Sequence, residues 1–110
     1  MDNRNHPPND DLPDFDSEGF LRNPQEWTER IAAKIARHDG LKELTQYHWG
    51  VIHSLRKHYD KFGAAPPSFQ HVCHVNHLGR YGVEHLFRSQ REAWRIAGLP
   101  DPGEEARAYM

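Results

Sequence analysis

Between Thr45 and Gly63 the large apolar side chains Trp49, Ile52, Leu55, Tyr59 and Phe62 recur at intervals of three and four residues. That period puts them along one stripe of an α-helix. Thr45 can cap the first turn, and Gly63 followed by Ala64-Ala65-Pro66-Pro67 stops the run. A helix with one apolar stripe needs partners to cover it. In a chain of 110 residues those partners have to come from the same single domain, which is large enough for one core.

The flanking segments supply them. Residues 1–13 hold Asn, Asp and Pro with Leu12 and Met1 as the only sizeable apolar side chains, too little to offset the cost of ordering the backbone, and are expected to form a disordered leader. Phe15 and Phe20 flank a polar turn closed by Gly19, which predicts a short β-hairpin. Asn23-Pro24 with Glu26 reads as a helix start, and Trp27, Ile31 and Ile35 at a spacing of four predict a helix over 24–39, ended by Gly40. Ser68 can cap a third helix with Phe69, Val72, Val75 and Leu78 as its buried stripe before Gly79. Val83, Leu86 and Phe87 suggest a short helical turn within 80–88. Ser89 with Glu92 is a capping-box signal for a last helix, stopped by Gly98, Pro100 and Pro102. The expected fold is α+β: a mostly helical orthogonal array of four or five helices with a small N-terminal β-hairpin or meander. The domain is placed at 14–102, and 103–110 form a C-terminal arm.

Charge and cysteine content narrow the function. Sixteen acids against 14 bases leave a formal charge of −2, and nine histidines run from His6 to His85. Such a balance argues against strong attraction to nucleic acid or to an anionic membrane. Cys73 is the only cysteine, so neither an internal disulfide nor a paired-cysteine zinc site can form, as suits a reducing compartment. The start lacks the apolar core of a signal peptide and no run reaches the roughly 20 apolar residues of a bilayer span. A cytoplasmic protein without a cofactor is expected.

The motifs point to a family. Asp16-Ser17-Glu18-Gly19-Phe20-Leu21, Asn23-Pro24 with Trp27, Leu44-Thr45 with His48-Trp49, Val51-Ile52, Leu55-Arg56, Tyr59, Gly63, Pro66, and the terminal Ile96-Ala97-Gly98-Leu99-Pro100 with Pro102 occur in an order and at spacings that resemble the DsrC/TusE family of sulfur-relay proteins. The resemblance implies helices with a small meander sheet. It also implies a role in cytoplasmic sulfur trafficking, in which members pass persulfide sulfur along relays toward transfer-RNA thiolation or serve dissimilatory sulfite reductase. It implies partners of the sulfur-relay or sulfite-reductase type. Counted from Leu99-Pro100, the family's near-terminal cysteine falls at Glu105 and its second cysteine at Trp94. An arginine that often follows the proline after the second helix is replaced near Ser68-Phe69, and the stretch between Arg80 and Ala93 is shorter than usual. A carboxylate cannot accept sulfane sulfur, which needs a thiolate nucleophile.

Three sets of residues could carry chemistry or binding instead. Cys73, between His71 and His74, could be activated by an imidazolium and is expected to be partly exposed; its alternative is a small apolar filler. His71, His74 and His77 form a ladder at intervals of three that could bind zinc or copper, or could simply be a solvated face. His48 and His53 read likewise, His48 as a packing or capping residue. Arg56, Lys57 and Lys61, with Arg80, Arg88, Arg91 and Arg95, could line a surface for an acidic partner or RNA. The arm from Glu104 to Met110 is either a frayed tail or a short docked helix. The expected function is a non-catalytic binding or regulatory component of sulfur trafficking. The alternative is a sulfur carrier using Cys73, and a third reading is a helix-turn-helix-like nucleic-acid-binding regulator.

Overall fold

In a computed structural model, residues 12–110 are described; most of the expected leader, residues 1–11, lies outside them. A 3-10 turn over Pro24–Glu26 precedes α1 (Glu29–His38), α2 (Gln46–Phe62), α3 (Phe69–Val75), α4 (Gly82–Phe87), α5 (Gln90–Ile96) and α6 (Glu104–Ala108). α5 lies against α1, α2 and α4, and α2 also packs on α3 and α4. No described helix is long and apolar enough to cross a membrane.

The caps explain most of the boundaries. Thr45 Oγ1 accepts from the Tyr47 amide, Ser68 Oγ from His71 and Ser89 Oγ from Glu92, each satisfying a donor that the first helical turn leaves free. His48 completes a reciprocal cap: its Nδ1 accepts from the Thr45 amide at 3.0 Å, which leaves Nε2 to donate to the Leu86 carbonyl at 2.9 Å. One buried imidazole thus starts α2 and ties it to α4.

Two expectations are corrected. The first helix does not run from 24 to 39. Thr28 recaps the chain through the Ile31 amide, so Trp27 stays extended between the 3-10 turn and α1. The indole thereby reaches across the fold, where Nε1 donates to the Ile96 carbonyl at 2.9 Å. The β-hairpin or meander is also absent: among the described residues there is no strand, only a single antiparallel bridge between Phe15 and Leu21. Asp16 accounts for this, because its carboxylate accepts from the Glu18 and Phe20 amides and winds the segment into a tight turn. Pro13 lacks an amide donor and Asn23 already caps the next turn, so no ladder can extend on either side. The described fold is therefore helical rather than α+β.

The core centres on α5. Ala93, Trp94, Ile96, Ala97 and Leu99 are fully buried, together with Phe20, Ile35, Val51, Ile52, Leu55, Val83 and Phe87. The small side chains of Ala93 and Ala97 let neighbouring helices approach a segment buried nearly all round. The α2 stripe is turned relative to the sequence pattern: His48, Val51, Ile52 and Leu55 face inward, whereas Phe62 is 63% exposed. The α3 stripe ends early, with Val75 exposed and His77 at φ 58° beyond the helix.

Candidate functional site

The C-terminal segment is held at several points. Gly98 adopts φ 72°, and a Cβ there would fall 2.1 Å from the Trp27 ring, so both its backbone and its closeness to the indole require glycine. Trp94 is fully buried and its Nε1 donates to the Pro100 carbonyl at 2.7 Å, fixing the turn into the arm. The arm itself is folded as α6. Arg107 donates to both oxygens of Asp101 at 2.6 and 2.7 Å, lies 3.4 Å from a Glu18 oxygen, and Met110 packs against the core. The Gly103 amide and Arg107 both hold the Asp101 carboxyl below its ordinary range. Glu105 stands exposed on α6.

Most of the expected basic surface is spent internally. Arg56 donates to the carbonyls of Ala97 (2.8 Å), Gly98 (3.4 Å) and Pro24 (3.2 Å), and its guanidinium sits 4.2 Å from the centre of the Trp27 ring. Burial pushes its pKa down, against the opposing charge of Asp60. Arg91 donates to the Glu18 backbone and carboxylate, and Arg88 to the carbonyls of Asp39 and Gly40. Arg95 binds Asp39 at 2.8 Å and the Gly19 carbonyl while lying over the Phe15 ring. Lys57 and Arg80 remain exposed, Arg80 near the Tyr81 ring.

Cys73 is 3% exposed, contrary to the expectation of partial exposure, with Sγ 3.8 Å from the Arg80 carbonyl. It lies at the bottom of a shallow depression whose rim includes Ser68, His71, His74 and Arg80. His71 and His74 are exposed on α3, but the helix ends at Val75, so His77 leaves the ladder. No cluster of metal-ligating side chains occurs among the described residues.

Sequence reasoning missed a half-buried acid pair. Glu92, read as the capping-box acid, turns toward Asp39 at the end of α1. Burial first, then its hydrogen bond to Asp39 and the negative charge there, push the Glu92 carboxyl up to about 8. Burial opposes ionisation of Asp39, but bonds from Glu92, Arg95 and His38 outweigh it and hold Asp39 at about 2. With the Glu92 pKa raised and that of Asp39 lowered, the proton of the pair sits on Glu92, and among the described residues the Glu92 Oε2 atom is buried without a partner. The partners lie 53 residues apart, 92 − 39, and no local pattern announces such a contact.

The arrangement as a whole is a helical scaffold with a docked terminal segment, and known proteins resemble the chain in sequence and overall fold. A family model described as DsrC like protein matches residues 9–104. The sulfurtransferase TusE of Sodalis glossinidius is 35% identical over 97 residues, covering 79% of this chain and 87% of that protein. Among solved structures, the oxidised gamma-subunit of dissimilatory sulfite reductase (DsrC) from Archaeoglobus fulgidus superposes with a TM-score of 0.69 at 31% identity, over 84% of this chain and 90% of that one. DsrC of Allochromatium vinosum does so with a TM-score of 0.67 at 32% identity, over 82% and 87%. With the matched region spanning the scaffold from the Asp16 turn to the start of α6, the chain belongs to the DsrC-like family.

Proposed function

We propose that this chain is a cytoplasmic binding or regulatory component of sulfur trafficking, which engages the partners of a sulfur-relay protein without carrying sulfur on its arm. One observation carries the reading: the two positions at which the family resemblance puts thiols hold Trp94, locked in the core by its bond to Pro100, and Glu105, a carboxylate on a docked helix. Neither side chain can form a persulfide. The scaffold around them is kept, from the Asp16 turn through Trp27 and Arg56 to Gly98. A relative named as a sulfurtransferase supports the choice of pathway class. A carrier role for Cys73 draws little support from a sulfur buried against the Arg80 carbonyl.

The test has two arms. Intact mass is measured after exposure to a persulfide donor, with Cys73→Ser alongside, and capture of sulfur-relay proteins is compared with that by a thiol-bearing relative. We expect no mass gain of one sulfur atom on the folded protein, and competition with the relative for its partner. Sulfur uptake at Cys73 followed by delivery to an acceptor thiol would overturn the reading, as would failure to bind any partner that the relative binds.

A further inference from the structure

A groove between α2 and α3 stands apart from the internal arginine network. It has a volume of about 340 Å³ and is lined by Lys57, His58 and Lys61 on α2 and by His71, Val72 and Val75 on α3. None of the side chains lining it is acidic. Lys57 and Lys61 are both exposed, and neither forms an ion pair among the described residues. That contrasts with Arg56, Arg88, Arg91, Arg95 and Arg107, all of which are engaged. Val75 is 46% exposed on the facing wall, an apolar side chain that the fold leaves uncovered.

We propose that this groove binds an extended acidic segment of a partner protein in which acidic and apolar side chains alternate. The claim deepens the binding role proposed above and rests on it for the identity of the partner's pathway. The geometry selects the pattern. Lys57 and Lys61 stand one turn apart, about 6 Å along the helix axis. Alternate residues of an extended chain are about 6.5 Å apart and point the same way. Two carboxylates separated by one residue therefore meet the two lysines in register, while the side chain between them points to the opposite wall, where Val75 and Val72 lie. Unpaired ammonium groups beside an apolar wall offer such a segment both electrostatic steering and an anchor.

The probe is a short fluorescein-labelled peptide, Glu-Leu-Glu-Leu-Glu flanked by glycines, titrated with the full chain and followed by anisotropy. We expect saturable binding that weakens with added salt, no binding of the matching Gln-Leu-Gln-Leu-Gln peptide, and at least about a tenfold loss in the Lys57→Glu/Lys61→Glu double variant. Val75→Asp should weaken binding as well, from the other wall. All three positions are exposed, and unchanged thermal melting confirms that the variants fold. Equal binding by the double variant overturns the proposal. So does a single-stranded RNA of matched charge that binds more tightly, or a wild-type dimer that the double variant dissociates, since the occupant would then be a nucleic acid or a second copy. Capture of relay proteins separates this claim from the wider one. If wild type and double variant capture them equally, the groove fails and the binding role stands; if neither captures them while the peptide still binds wild type, the groove stands and the sulfur-pathway role fails.

Discussion

Arg56 joins three segments that are distant in sequence: α2, the 3-10 turn before Trp27, and the carbonyls of Ala97 and Gly98. Its planar fork makes several hydrogen bonds at once while stacking on the indole, a combination an ammonium cannot reproduce. Arg56→Ala should therefore lower stability by about 3 kcal/mol, read as a shift in the urea midpoint, and Arg56→Lys should recover less than half of that. A loss under about 1 kcal/mol for the alanine variant would mean that these carbonyls find water readily and that the staple is dispensable. Gly98→Ala tests the same junction from the other side. With φ at 72° and the Trp27 ring only 2.1 Å from the added Cβ, we expect a cost of about 3 kcal/mol or more from displaced indole and strained backbone together.

Asp39 at the end of α1 meets both Arg95 and Glu92 of α5, and the Glu92 side of that join is sensitive to pH. Glu92 has a folded pKa of about 8 against an ordinary 4.5. Between about pH 4.5 and 8 the folded state thus holds more protons than the unfolded chain, and stability falls as pH rises through that window. Asp39 acts in the other direction. Its folded value of about 2 lies below 3.8, so stability rises with pH between those values and the pair is most stabilising near about pH 4. Melting midpoints of wild type and Glu92→Gln, compared from about pH 5 to 8, should diverge: the wild type declines more steeply, because glutamine keeps a donor toward Asp39 and cannot ionise. Parallel profiles would show that Glu92 is already ionised at neutral pH. Elements of this kind also mark the limit of what the sequence discloses. The caps at Thr45, Ser68 and Ser89, the stop at Gly63 and the turn around Gly19 rest on neighbours within a few residues, and all are legible. The pairing of Glu92 with Asp39 and the rotation of α2 toward Val51 depend on partners the local pattern does not contain. The Asp16-wound turn, by contrast, is local, its carboxylate reaching amides two and four residues on, and it reads as a hairpin in the sequence because Phe15 and Phe20 flank a turn in either case. At the candidate site, Trp94 and Glu105 at the positions where the family resemblance puts thiols are plain in the sequence. The engagement of Arg56, Arg91 and Arg95 is not, because an internal staple and a solvated cation are spelled with the same letter.

Across the whole molecule, burial decides at which of the two positions, 94 or 105, a thiol could be introduced. Trp94 fills the centre of the core and is fully buried, so Trp94→Cys leaves a cavity and frees the Pro100 carbonyl, at a cost of about 3–5 kcal/mol. Glu105 is exposed on α6, and Glu105→Cys should change stability by no more than about 0.5 kcal/mol. If the scaffold still fits relay partners and only the sulfur-bearing atom is missing, the Glu105→Cys protein should take one sulfur from a persulfide donor, as seen in its intact mass, and pass it to an acceptor thiol while wild type does not. The docking of α6 supplies the competing explanation. A helix of five residues is not stable by itself and depends on Arg107 gripping Asp101. An inert thiol in Glu105→Cys that becomes reactive when Arg107→Ala is added would place the block in the docked arm. Reactivity in the single variant would place it in the absent sulfur atom alone, and the same protein would then be a binder or a carrier according to one side chain.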